Sequence, residues 1–166
     1  MTNKTHQYGI EAQQAPELEV DIWIDENGEK TKPIKLADYS GKFKVIYGFQ
    51  AWCPGCHTRG LPSLKKMVKA LEDNDNVEFF AIQTVFEGKS ANTFERMVEI
   101  QKEYDLKIPF GHDTGEGSDK KYATTMQNYR TGGTPWFILI DQDDTVIFND
   151  YHLNVDKAIE YLKTIQ

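Results

Sequence analysis

A run of nearly continuous apolar and aromatic residues, KVIYGFQAW (44–52), ends directly on Cys53-Pro54-Gly55-Cys56-His57. Entered after the polar break Tyr39-Ser40-Gly41, such a run reads as a strand buried on both faces. Beyond Cys56, Leu61, Leu64, Val68 and Leu71 recur at spacings of three and four, the stripe of an amphipathic helix. A strand that needs cover on both sides, joined through two cysteines to a helix, confines the chain to a layered α/β architecture.

The flanking segments agree. Leu18, Val20, Ile22 and Ile24 alternate in LEVDIWI (18–24), Asp25-Glu26-Asn27-Gly28 supplies turn residues, and Ile34 to Leu36 is expected to return as the second strand of an N-terminal β-hairpin. VEFFAIQTVF (77–86) reads as another buried strand. Asn92 with Glu95 suits a capping box that opens a helix burying Phe94, Met97, Val98 and Tyr104. LKIPF (106–110) alternates, and 118–129 reads as a helix with Tyr122, Met126 and Tyr129 on one side. WFILI (136–140), the turn Asp141 to Asp144 and TVIF (145–148) form the clearest hairpin, and a last helix runs from about Val155 to Ile165. The expected fold is a three-layer mixed central sheet with helices on both faces, preceded by a loose arm over 1–17, with the domain proper over 18–166. Repeats, low-complexity tracts and linkers are lacking.

Nineteen Lys plus Arg against twenty-six Asp plus Glu leave a net charge of −7, and the basic residues are scattered, which argues against nucleic acid as a partner. No run approaches the length of a membrane span, and MTNKTHQYGIEAQQAPEL lacks the apolar core of a secretion signal. A cytoplasmic location is therefore expected if Met1 is the natural start. The two cysteines, Cys53 and Cys56, rule out a wider disulfide framework.

A cysteine at a strand end and helix start lies where free backbone N–H groups and the helix dipole favour negative charge, so the thiolate is stabilised there. Cys53 is the expected nucleophile and Cys56 the residue that attacks the resulting mixed disulfide. Pro54 suits a first helical turn because it needs no donor there, and Gly55 lets the loop bend. The literal C-x-x-C-H pattern would also admit haem attachment through His57, and the same residues could be part of a zinc site. Haem is opposed by the sheet context, the missing leader and the unexplained Trp52, and zinc by His6, His112 and His152, which show no supporting spacing. No cofactor or metal is expected. Gly132-Gly133-Thr134-Pro135-Trp136 precedes the WFILI strand, where a cis X-Pro bond can present backbone to a ligand.

With W-C-x-x-C after a buried strand, T-P before FILID and a turn and strand after it, the chain resembles the thioredoxin superfamily, and within it the TlpA/ResA-type thiol-disulfide oxidoreductases, with AhpC/TSA-peroxiredoxin-related redoxins close by. The resemblance spans about 16–165. It implies a thioredoxin fold with an insertion near 84–110, a cis Pro135 packed on the cysteine pair, and Thr134 offering backbone hydrogen bonds to a bound substrate chain. The implied partners are protein thiols or disulfides and an electron donor or acceptor protein, with neither nucleic acid nor membrane. Trp52 and Trp136 are expected as half-exposed aromatics that give a substrate peptide an apolar platform.

The chain also departs from these families. Tyr47 stands where thioredoxins carry a buried Asp, Arg59 and Gly60 stand where TlpA-like proteins often have a Glu, and Pro62 lies one residue later than usual, which suggests a bulge in the first helix. Glu87, His57 and Arg59 are left as candidates for proton transfer or thiolate stabilisation. The alternative activity, a thiol peroxidase using Cys53, would usually require Thr or Ser at Gln50 and Pro at Ile46, with Arg130 as the candidate group polarising the peroxide.

Overall fold

The computed structural model describes residues 8–116 and 122–166. Seven strands, β1 (Ile22–Ile24), β2 (Lys30–Thr31), β3 (Phe43–Phe49), β4 (Val77–Thr84), β5 (Phe110–Asp113), β6 (Trp136–Ile140) and β7 (Val146–Asp150), form one sheet in the order β2-β1-β5-β4-β3-β6-β7. The central β3, β4 and β5 are parallel, whereas β6, β7, β1 and β2 join antiparallel at the two sides. The helices are α1 (Leu61–Ala70), α2 (Phe94–Glu103), α3 (Thr124–Tyr129) and α4 (Val155–Leu162).

Every residue of β3 is buried, as its apolar run requires. Phe43, Val45, Tyr47 and Phe49 point into one core with Leu64 and Met67 of α1, Met97 and Ile100 of α2, and Leu162 of α4. Ile46 points the other way, into a second core with Phe80, Ile82, Ile138, Tyr129 of α3, and Leu18, Val20 and Trp23. Burying a large apolar side chain contributes about 1.5–3 kcal/mol, so the two cores, one per sheet face, dominate the stability. The three-layer thioredoxin architecture is thus present, although irregular N-terminal chain supplies most of the second outer layer.

Several boundaries differ from the sequence reading. Asp25 Oδ1 accepts from the N–H groups of Asn27 (2.8 Å) and Glu29 (3.0 Å), which closes the turn at once. The return strand of the hairpin therefore starts at Lys30, and Leu36 falls in a short 3-10 turn, Leu36–Tyr39. Leu18, Val20 and Ile24 are buried as expected, whereas Ile22 is exposed and its neighbour Trp23 is buried. Gly111 of the paired strand explains it, since a Cβ there would lie 2.9 Å from the Trp23 ring, and Trp23 Nε1 donates to Val20 O. In LKIPF the expected alternate positions are buried, but the strand itself starts at Phe110.

The cap of α2 is Thr93, whose side chain accepts from Arg96 N, rather than Asn92. Of the helix expected over 118–129, residues 118–121 lie outside the described residues, and α3 begins at Thr124, where the Asp113 carboxylate accepts from the N–H groups of Thr124 and Thr125. The arm is likewise more ordered than a loose segment where it is described. Gly9 and Ile10 donate to the carbonyls of Arg130 and Tyr129, Ala12 donates to Val146 O, and Val146 donates back to Gln13 O. The Glu17 carboxylate accepts from Leu36 N and Ala37 N. Among the described residues, no helix is long and apolar enough to cross a membrane.

Candidate active site

Cys53 and Cys56 meet at the end of β3 in a disulfide with a Cα–Cα distance of 5.2 Å. The chain then passes through one wide π-type turn, Cys56–Gly60, into α1, the bulge that the late Pro62 suggested. Close packing requires glycine at Gly60, because a Cβ there would overlap Tyr47 Oη and lie 2.8 Å from Pro135 Cβ. Cys53 is 9% exposed and Cys56 fully buried, so Cys53 is the more accessible sulfur.

Two donors face Cys53 Sγ: the Cys56 N–H at 3.2 Å and the Thr134 hydroxyl at 3.4 Å. Both can hydrogen-bond a thiolate. The Thr134–Pro135 peptide is cis, and Pro135 Cδ lies 3.4 Å from a Cβ built on Gly55. The T-P segment and the C-x-x-C segment, eighty residues apart in the chain, are therefore neighbours across the site.

The segment feeding Cys53 is held by side chains. Ala51 N donates to Gln83 Oε1 at 2.8 Å, and Trp52 N donates to Asn92 Oδ1 at 2.7 Å. His57 Nε2 lies 2.6 Å from the Ala51 carbonyl, which can only accept, so Nε2 carries a proton, and Nδ1 is hydrogen-bonded with the Tyr104 hydroxyl at 2.7 Å. His57 thus latches the motif to the end of α2, with both ring nitrogens engaged away from the sulfurs. Gln50, noted only as a departure from the peroxidase pattern, is buried and accepts from Phe86 N and Glu87 N. Gln83 and Asn92 were missed as site residues. For Gln83 the signal was an amide inside a buried apolar run, which marks a polar group with a fixed partner, whereas Asn92, in the polar stretch before α2, carried none.

Both cysteines adjoin the apolar core beneath the site. Tyr47 stacks on Phe49 and tilts against Phe137, and its hydroxyl is buried without a hydrogen-bond partner among the described residues. Burial pushes the Tyr47 phenol well above its usual range, so it stays protonated at neutral pH.

The remaining expected site residues are dispersed. Trp52 is 66% exposed beside the pair and, with Ala51, Pro54, His57, Ala91 and Arg96, lines a cleft of about 350 Å³ next to Cys53. Trp136, by contrast, is buried, because its Nε1–H donates to Asn149 Oδ1 at 2.6 Å and its ring stacks on Tyr151, so it offers no open platform. Arg59 is exposed with its guanidinium 5.7 Å from the Tyr151 ring centre. Glu87 is exposed on the loop after β4, and Arg130 is exposed at the left-handed end of α3. Among the described residues, no group of three or more His, Cys, Asp or Glu is placed to hold a metal.

A family model, described as the AhpC/TSA family, matches residues 12–149. The chain belongs to the AhpC/TSA family. Among solved structures, this family member is 31% identical to a thioredoxin-like superfamily protein (TM-score 0.79, covering 93% of this chain and 96% of that one). It is 28% identical to a thiol-disulfide isomerase from Corynebacterium glutamicum (TM-score 0.74, covering 91% and 96%). A 2-Cys peroxiredoxin from Plasmodium vivax, at 16% identity, shares the fold (TM-score 0.68, covering 93% and 95%). No curated protein matches the chain. The AhpC/TSA membership, the thioredoxin fold and the Cys53–Cys56 disulfide together make this an oxidoreductase of the thioredoxin superfamily.

Proposed function

We propose that the protein is a thiol-disulfide oxidoreductase that exchanges electrons with protein thiols or disulfides through Cys53 and Cys56. The observation that carries this reading is the unequal pair itself: a rim cysteine with two hydrogen-bond donors on its sulfur, disulfide-bonded to a fully buried partner one turn later.

In the reducing direction, the Cys53 thiolate attacks one sulfur of a substrate disulfide, an S–S bond forms between protein and substrate, and the other substrate sulfur leaves as a thiolate. Cys56, deprotonated, then attacks Cys53 Sγ. The Cys53–Cys56 bond forms, the substrate's second thiolate leaves and takes up a proton, and two electrons have passed to the substrate. An electron donor protein restores the dithiol, and the oxidising direction is the same sequence reversed. Thr134 and Pro135, across the motif from Gly55, are the backbone edge on which we place the substrate chain, and Trp52 with the adjoining cleft receives the residue flanking its cysteine.

Peroxidase chemistry is the weaker alternative. Gln50, in the position where a hydroxyl would be needed, has its amide oxygen committed to two backbone N–H groups. Trapping tests the choice: Cys56→Ser is expected to accumulate a covalent Cys53 adduct with a disulfide-bonded protein substrate, visible by mass spectrometry and released by dithiothreitol. A variant that forms no adduct, yet consumes peroxide at the wild-type rate, would move the protein to the peroxidase class.

A further inference from the structure

Between the end of β3 at Phe49 and the helical residues that begin at Pro54, the chain has neither a ladder nor a helix to satisfy its backbone. The N–H groups of Ala51 and Trp52 are met by two buried amides, and Gln83 also donates to the backbone carbonyl of Asn92. Gln83 Oε1 accepts from Ala51 N, while its Nε2 donates to the carbonyls of Asn92 and Thr93. Asn92 Oδ1 accepts from Trp52 N, while its Nδ2 donates to the carbonyls of Glu87 and Gly88. Both side chains are at most 2% exposed, although the Trp52 ring next to them is 66% exposed. A backbone N–H beside so open a side chain could be satisfied by solvent. Burying two amides to hold it instead is costly unless each is fully paired, and here each uses both its donor and its acceptor.

We propose that Asn92, with Gln83 behind it, is a positioning residue for Cys53: by fixing the Trp52 peptide it holds Cys53 Sγ against the Cys56 N–H and the Thr134 hydroxyl, and so sets the stability of the thiolate. The proposal rests on the dithiol couple above and assigns its tuning to a loop outside the C-x-x-C and T-P motifs. Hydrogen bonds weaken steeply with distance and angle, so a freed residue 52 lets the sulfur drift from both donors and loses stabilisation of the anion. Losing thiolate stabilisation destabilises the reduced form, which makes the couple more reducing.

The test compares wild type, Asn92→Ala and Thr93→Ala as full chains, reading the Cys53 pKa from the ultraviolet absorbance of the reduced protein and the midpoint of its dithiol/disulfide titration. Asn92→Ala is expected to raise the Cys53 pKa by about one unit, a tenfold loss of thiolate, and to lower the midpoint by up to about 30 mV. Thr93→Ala removes the cap of α2 at the next position and is expected to lower stability while leaving both readings at wild-type values. Wild-type readings in Asn92→Ala, or an equal shift in Thr93→Ala, would overturn the proposal. Should Asn92→Ala not fold, amide exchange in the wild type decides. The Trp52 N–H is expected to be protected about a hundredfold or more over open chain, and exchange at the open-chain rate overturns the assignment. A wild type with no two-electron transition would sink the dithiol couple itself, while the Cys53 pKa comparison would still judge Asn92.

Discussion

The two sulfurs sit three residues apart and differ in access and in hydrogen bonding: Cys53 is at the rim with two donors on its sulfur, and Cys56 is fully buried. Around Cys53 the chain has placed donors and amides: the Cys56 N–H, the Thr134 hydroxyl, and the Gln83, Asn92 and His57 side chains that immobilise residues 51 and 52. Cys56 has no exposed surface; Tyr47, Phe49, Leu61 and Phe137 belong to the apolar core that takes in both cysteines, and the Tyr47 hydroxyl in it has no hydrogen-bond partner among the described residues. Hydrogen-bond donors at Cys53 Sγ suit an anion there, whereas Cys56 is closed to solvent. The difference teaches that one disulfide can join an accessible, hydrogen-bonded sulfur to an enclosed one, and that this inequality comes from what the sheet and the loops bring to each cysteine, beyond the C-x-x-C spacing itself; the proposed roles of attacking and resolving cysteine rest on it.

The most severe way to disturb this contrast is Gly60→Ala. Its Cβ would strike Tyr47 Oη and the Pro135 ring, both rigid, so we expect a loss of about 1–3 kcal/mol in urea unfolding and a displaced Thr134 hydroxyl. Wild-type stability would mean that the wide turn yields freely. Tyr47→Phe sharpens the contrast. Deleting a buried hydroxyl that has no partner among the described residues is expected to leave stability unchanged or raise it by up to about 1 kcal/mol, and to leave resolution of the mixed disulfide at its wild-type rate. Slower resolution would show that the phenol moves a proton for Cys56, and the pocket would no longer count as inert.

The smallest effect concerns acid. His112 Nδ1 accepts from Gln83 Nε2 at 3.1 Å, which requires the neutral ring, and burial holds its pKa below the ordinary value, against the opposing pull of Asp113, Glu116 and Glu95. The unfolded chain takes up this proton near pH 6.5, at higher pH than the folded protein does. Stability contributed by His112 is accordingly complete above that pH and falls as pH is lowered toward the folded value. In unfolding measurements between pH 7.5 and 5.5, about one unit either side of that ordinary value, the wild type is expected to lose more stability than His112→Leu. Equal losses would remove the link between His112 and the Gln83 amide.

The central β-strands, the helix after the cysteines and the C-terminal hairpin were legible because their apolar periodicity spans many residues and has one physical reading. The redox pair was legible for the same reason, since Cys53 and Cys56 adjoin the most buried strand. What escaped was decided by long-range polar contacts. Asn92 has the composition of a cap, and only the fold reveals that its oxygen serves Trp52, forty residues earlier, leaving Thr93 to cap α2. Trp136 read as an exposed partner of Trp52 until Asn149, on the neighbouring strand, claimed its indole N–H. The burial of Trp23 in place of Ile22 depends on the absence of a side chain at Gly111, distant in sequence but adjacent in the sheet.

The most direct measurement is a titration of tryptophan fluorescence against graded dithiol/disulfide buffers, for wild type and Cys53→Ser, with Trp52 as the reporter beside the pair. A single two-electron transition in the wild type, absent from the variant, is the predicted result, and its midpoint tells whether the protein donates or accepts electrons. A wild type without that transition, whose Cys53 nevertheless oxidises with peroxide, would contradict the dithiol couple on which this account of the protein stands.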